Sequence, residues 1–170
     1  LLQTLNNVLD YSKCGKGPPP SRPIAIDLKQ TLGEFERIAT VRRSRNKSRL
    51  EFILPSELPT SIKIDWAMTQ QVLSNLVMVL TSPLVGPGAE IRITDVGQGH
   101  DIEYAFVGTG DHMTQKVLER ALGASPVPPH EAGSVELALL VSQWLLMQAG
   151  GRLYYRPGEE AIHLRLSQSR

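Results

Sequence analysis

Asp65 to Ser82 read DWAMTQQVLSNLVMVLTS, and this stretch decides the fold of the chain. Asp65 is suited to cap a helix, because its carboxylate accepts hydrogen bonds from the free N–H groups of a first turn. Pro83 marks the end of the pattern, because its ring cannot continue the helical hydrogen-bond ladder. Between them, apolar residues at helical spacing predict a broad buried face that comprises Val72, Leu73, Leu76, Val77, Val79 and Leu80.

Length and composition indicate one globular domain with a short appendage, in a chain of 170 residues. The charged fraction of 21% and the net charge of +1 give no reason to expect a nucleic acid or an acidic substrate. The single cysteine, Cys14, rules out an internal disulfide and is typical of a reducing compartment. The sequence has neither a membrane-spanning apolar run nor a signal peptide, so we expect a soluble, cytoplasmic domain. It opens within a helical pattern, and we expect it to be a piece of a longer protein.

The segments before Asp65 have distinct patterns. Residues 1–12 predict an amphipathic helix that is too short to be stable alone. Residues 15–23, GKGPPPSRP, predict a semi-rigid linker, since consecutive prolines favour an extended backbone. Residues 27–41 predict a helix capped by Asp27. The basic run from Arg42 to Arg49 predicts a solvated loop, and its alternative interpretation as an anion or partner patch lacks interleaved aromatic residues.

Alternating apolar residues predict strands over 50–54, 61–64, 89–96 and 102–107, and a closing hairpin over 152–156 and 161–166. Helices are predicted over 114–122 and 135–149, with Gly150 as the C-terminal cap of the second. Strands interleaved with helices and hairpins predict an α/β two-layer sandwich, in which a mixed sheet carries helices on one face.

Asp65-x5-Gln71-Val72-Leu73-x-Asn75-Leu76 resembles the N-box helix of sensor histidine kinases. Residues 1–13 are similar to the end of the second dimerisation helix of that family, and the order of elements agrees along nearly the whole chain. The resemblance implies the Bergerat ATPase fold of the histidine kinase catalytic domain. It also implies three segments: 1–14 as the end of the dimerisation helix, 15–23 as a linker and 24–170 as the ATP-binding-like domain.

The same resemblance implies a site for ATP and Mg²⁺, and three of its motifs are incomplete. In the N-box, Asn75 is the candidate Mg²⁺ ligand, whereas Val79 replaces the second asparagine. In the D-x-G-x-G box, Thr109 and Gly110 match the family, but Gly108 stands where an aspartate binds the adenine amino group. His112 replaces the last glycine of that box.

The second glycine-rich box aligns with the start of the helix at 135–149, where Ser134, Glu136 and Ala138 replace the three glycines. A carboxylate at Glu136 would repel the triphosphate, since both are negative. Asp95 to Gly99 matches D-x-G-x-G literally, but the flanking alternating strands favour a hairpin turn.

These substitutions predict a degenerate pseudokinase domain of a two-component signalling protein. It would bind ATP weakly or not at all, need no cofactor, and act on phosphotransfer through protein contacts. Asn75, Thr109 and Gly110 would form a vestigial nucleotide site. No catalytic residue is expected in the chain, because none of its four histidines has the context of the phosphoacceptor H-box.

Two alternatives stay open: an active domain that binds ATP and Mg²⁺ through Asn75, Asp111 and Asp95, and a histidine phosphotransferase with a vestigial ATPase-like domain. The resemblance implies that the partners are the dimerisation helices of the same protein, a response regulator or another histidine kinase. Nucleic acid and direct membrane contact are not expected, and the full-length protein is expected to be a homodimer.

Overall fold

The computed structural model describes residues 12, 20–46, 49–53, 56, 59–80, 88–95, 101–108, 115–123, 128–156 and 161–167. Apart from Ser12, residues 1–19 lie outside this part, and with them most of the predicted dimerisation helix and linker. In chain order the elements are β1 (Ile24–Asp27), α1 (Leu28–Asn46), β2 (Arg49–Ile53), β3 (Ser61–Ile64), α2 (Trp66–Leu80), β4 (Gly88–Asp95), β5 (Asp101–Gly108), α3 (Gln115–Leu122), a 3₁₀ turn (Pro129–Glu131), α4 (Ser134–Ala149), β6 (Arg152–Tyr155) and β7 (Ala161–Ser167).

The strands form a five-stranded sheet in the order β2-β4-β5-β7-β6 and a separate two-stranded sheet of β1 and β3. Within the large sheet β2 and β4 are parallel, and every other neighbouring pair is antiparallel. A parallel pair needs a crossover connection, and α2 lies in the one between β2 and β4. The mixed sheet confirms the predicted α/β class, with α2 in its crossover.

One face of the large sheet packs against the helices. Leu153 of β6 and the alternate β7 residues Ile162, Leu164 and Leu166 belong to a core that also includes side chains from all four helices. Because successive strand residues point to opposite faces, His163 and the residues on its side of the sheet point away from that core. The described side chains of this opposite face are largely polar or charged.

One prediction of local structure is wrong, and one strand was not predicted. Helix α1 continues to Asn46 instead of ending at Val41, so residues 42–46 are helical and not a loop. Arginine is a good helix former, and nothing in this stretch stops the helix. Strand β1 was not predicted, because its four residues follow a proline-rich segment and are too few to show a period. Its pairing with β3 supplies the order that its own sequence lacks.

Helix α4 ends as predicted. Gly150 adopts the left-handed conformation, with φ of 76°, and its N–H donates to the carbonyl of Leu146. Glycine tolerates this conformation at little cost, since it has no Cβ to clash with the backbone. The chain then turns at once into β6.

Candidate functional site

The start of α2 is organised by Asp65, whose side chain is buried. One carboxylate oxygen, Oδ1, accepts from the N–H of Met68 at 3.0 Å, which confirms the predicted helix cap. The other, Oδ2, accepts from the N–H of Arg22 at 2.7 Å. Asp65 therefore ties the incoming N-terminal segment to the helix as well as capping it.

Asn75, the candidate Mg²⁺ ligand of the vestigial site, lies between α2 and α4 and is 1% exposed. Its Nδ2 donates to Ser142 Oγ at 3.2 Å and lies 3.5 Å from the carbonyl oxygen of Ala138. Ser142 Oγ in turn donates to the same carbonyl at 2.7 Å. The amide nitrogen of Asn75 is thus engaged in a buried helix–helix network.

Val79 and Ala138 stand at positions that the N-box and glycine-box resemblance assigns to nucleotide contact, and both are fully buried at 0% exposure. Val79 lies on α2 and Ala138 on α4, and both belong to the hydrophobic core. Apolar side chains at these positions gain free energy from burial, and they contribute no oxygen ligand for a cation.

Glu136 occupies the N-terminus of α4. Its Oε2 accepts from the N–H of Gly133, the N-cap residue, at 2.6 Å, and its Oε1 accepts from Arg120 Nε of α3 at 2.8 Å. The free N–H groups at a helix N-terminus attract negative charge, and here a carboxylate of the chain itself provides it. Ser134, the first residue of the helix, is exposed.

The D-x-G-x-G region is only partly described. Gly108 is the last residue of β5 and pairs with Ala89 of β4. Thr109, Gly110, Asp111 and His112 lie outside the described residues, so their predicted roles stay predictions. Asp95 is the last residue of β4 and pairs with Ile102 of β5, in accord with the hairpin interpretation of the Asp95–Gly99 match.

A polar cluster that the motifs did not indicate lies on the sheet face opposite the core. Glu103 Oε2 accepts from the hydroxyl of Tyr154 at 2.5 Å, and Glu103 Oε1 lies 3.2 Å from His163 Nδ1 and 3.5 Å from Arg156 Nη2. The rings of Tyr154 and His163 stack with centroids 5.2 Å apart. His163 lies on β7 and is buried at 3% exposure.

The cluster changes the acidity of two of its members. Burial alone would raise the pKa of Glu103, but hydrogen bonds from Tyr154 and His163 and the charges of His163 and Arg156 hold it below its usual value of 4.5. Burial, together with the hydrogen bond to the Glu103 carboxylate, raises the pKa of Tyr154 above its usual value of 10.0. Glu103 is therefore held as an anion, and Tyr154 as a neutral donor to it.

Within the described part of the chain, no group of three or more histidine, cysteine, aspartate or glutamate side chains is placed to hold a metal ion. None of the helices found there is both long and apolar enough to cross a membrane.

No protein-family model matches the sequence, and no curated protein matches it. Solved structures do match. The chain is similar to the Acinetobacter baumannii histidine kinase AdeS with a TM-score of 0.70 and 15% identity, over 98% of this chain and 77% of that one. It is similar to the catalytic domain of histidine kinase ThkA with a TM-score of 0.64 and 13% identity, over 86% of this chain and 96% of that one.

A third match is ThkA in complex with the response regulator protein TrrA. There the TM-score is 0.68 at 15% identity, and the match covers 98% of this chain and 46% of that one. At these identities the likeness shows the fold, which is that of histidine kinase catalytic domains. The fold implied by the N-box resemblance is therefore confirmed.

Proposed function

We propose that the chain is the histidine-kinase-like ATPase domain of a two-component signalling protein, and that its nucleotide site is degenerate. In this proposal residues 24–170 form the domain, 15–23 the linker and 1–14 the end of a dimerisation helix. The domain acts as a pseudokinase in the cytoplasm and influences phosphotransfer through protein contacts. The fold and the order of elements support the kinase-like part of the proposal.

The position of Glu136 is the main observation in favour of a degenerate nucleotide site. In the resemblance, a glycine at this position lets the triphosphate approach the helix N-terminus. Here the Glu136 carboxylate accepts from the Gly133 N–H at 2.6 Å and from Arg120 at 2.8 Å. A triphosphate would have to displace this carboxylate and would meet its negative charge at short range.

Asn75 and Val79 support the same interpretation. The Asn75 amide is buried and donates to Ser142, and Val79 is a core residue. Mg²⁺ prefers near-octahedral oxygen coordination, and the described side chains at this place do not supply it. The described donors do not fit Mg²⁺-ATP, so Asn75, Thr109 and Gly110 are proposed as vestiges of a nucleotide site and no cofactor is assigned.

The proposed partners are a response regulator, the dimerisation helices of the same protein, or another histidine kinase. The structural neighbour ThkA was solved with the response regulator TrrA, which supports the first. We further propose that the full-length protein is a homodimer formed through those helices, without nucleic acid or direct membrane contact by this domain.

Nucleotide binding tests the proposal. The melting temperature and the heat of binding are measured with Mg²⁺-ATP, beside a histidine kinase catalytic domain known to bind it. A ligand of the folded state at 100 times its Kd adds about 2.7 kcal/mol of stability, which would raise the melting temperature clearly. We expect no shift for this chain. Saturable binding to the wild type would instead support the active alternative.

A variant sharpens the test. Glu136→Gly restores the family residue and removes the carboxylate from the helix N-terminus. If Glu136 excludes the triphosphate, this variant gains affinity for Mg²⁺-ATP relative to the wild type. Ser134→Gly, which restores a glycine at an exposed position of the same turn, is the matched control and should gain less.

A further inference from the structure

Three charged residues form a row across the face of the sheet that points away from the helices. The register places Glu103 of β5 opposite Arg165 of β7, and Arg165 opposite Arg152 of β6. Directly opposed like charges destabilise a sheet, so the pairing of two arginines costs stability. Glu103 places an opposite charge beside Arg165, on the strand away from Arg152. A local feature that costs stability is often found where a protein binds something.

Tyr154 brings a second arginine to the same place. Its ring centroid lies 4.9 Å from Arg152 Cζ and 5.6 Å from Arg156 Cζ, so both guanidinium groups lie close to one aromatic ring. The ring is fixed by its hydrogen bond to Glu103 at 2.5 Å and by stacking on His163. We call Arg152, Tyr154 and Arg156 the arginine platform.

The positive charges of the platform lie at the surface, whereas the negative charge of the neighbouring Glu103 lies in the interior. Arg152 is exposed, and the Arg156 side chain is 49% exposed, whereas the Glu103 side chain is 9% exposed. Glu103 already accepts from Tyr154 and lies within ion-pair distance of His163 and Arg156. The acid is therefore turned inward, and the guanidinium groups form the part that reaches solvent.

We propose that the arginine platform binds a carboxylate-rich segment of a partner protein. Guanidinium groups match the geometry of carboxylates and bind them through paired N–H donors. Because both guanidinium groups already rest within 5.6 Å of the Tyr154 ring centroid, less side-chain freedom is lost on binding. A polyanion such as nucleic acid is less suited, since the whole chain has a net charge of only +1. This surface is independent of the nucleotide site and goes beyond the function proposed above.

Fluorescence anisotropy tests the platform with two labelled peptides, one of alternating glutamate and alanine and one with every glutamate replaced by glutamine. The wild type should bind the glutamate peptide and not the glutamine peptide. Arg152→Gln and Arg156→Gln should each weaken binding about tenfold, the equivalent of about 1.4 kcal/mol. Arg37→Gln, an exposed arginine on α1, is the matched control and should bind as the wild type does.

Variants of Tyr154 distinguish binding that depends on its ring from nonspecific attraction to positive charge. Tyr154→Phe keeps the ring and should retain most of the affinity, whereas Tyr154→Leu removes the ring and should lose affinity about as an arginine variant does. The fold of each variant is checked by its circular dichroism and melting temperature. Equal binding of both peptides, an equal loss in Arg37→Gln, or tighter binding of a single-stranded oligonucleotide than of the glutamate peptide would overturn the proposal.

Discussion

The side-chain amide of Asn75 donates to the hydroxyl of Ser142 across 3.2 Å, and this buried hydrogen bond joins α2 to α4. The two helices carry the N-box and the second glycine-rich box of the family resemblance. The asparagine that this chain shares with the N-box, Asn75, has its side-chain amide hydrogen-bonded between the two helices. Its contribution to stability can therefore be measured separately from any contribution to metal binding.

Asn75→Ala should lower the free energy of unfolding by about 2 kcal/mol, because it leaves a small cavity and removes a buried hydrogen bond. The loss should be the same with and without excess Mg²⁺, as measured by urea unfolding. Gln70→Ala, an exposed change on the same helix, should stay within about 0.5 kcal/mol of the wild type. A loss that appears only with Mg²⁺ present would identify Asn75 as a metal ligand.

Glu136→Ala should destabilise the protein by about 1 kcal/mol, since it removes the carboxylate that caps α4. Arg120→Ala should cost less, about 0.5 kcal/mol, because the Arg120 side chain is 44% exposed and its ion pair is partly screened by water. A double-mutant cycle on chemical unfolding separates the ion pair from the cap. If Glu136→Ala is as stable as the wild type, the Glu136 carboxylate does not stabilise the N-terminus of α4.

Val79→Asn restores the second N-box amide of the family at a position with 0% exposure. We expect a loss of about 2 kcal/mol, because the amide replaces an apolar side chain that is closely packed in the core. Val79→Thr, which has nearly the same shape, is the control and should lose less. A Val79→Asn variant that keeps wild-type stability and binds Mg²⁺-ATP would show that the position opens onto a functional site.

The stability of the protein should fall below about pH 4.5 in part through Glu103. The pKa of Glu103 is lowered in the folded state, so its contribution to stability is fully present above the usual value of 4.5 and is lost as the pH falls through the folded-state pKa. The difference in unfolding free energy between the wild type and Glu103→Gln, from urea titrations, should therefore shrink in acid. Glu36→Gln, which changes an exposed carboxylate on α1, should show a weaker pH dependence.

Local sequence patterns were sufficient for most of the elements. Strand β3 begins and ends at the predicted residues, α2 begins directly after its predicted cap, and α4 ends at the predicted glycine. The ends of α2 and α4 depend on contacts within a few residues, and the alternation of β3 is visible in its own sequence, so these features can be predicted without the fold. The N-box resemblance also led to the correct fold, because the apolar face of α2 is needed to build the crossover and the core.

Tertiary contacts determine the hydrogen-bond partners of Glu136, Asn75 and Glu103. The sequence placed the Glu136 carboxylate at a position that the resemblance assigns to phosphate binding, but it did not indicate the hydrogen bonds to Gly133 and Arg120. The resemblance made Asn75 a candidate Mg²⁺ ligand, and folding brought Ser142, far away in the chain, to its amide. Glu103, His163 and Tyr154 lie on three strands with no shared motif, and only the register of β5, β7 and β6 brings them together. Local propensity and apolar period determine elements, whereas the partners of a polar side chain depend on which elements pack beside it.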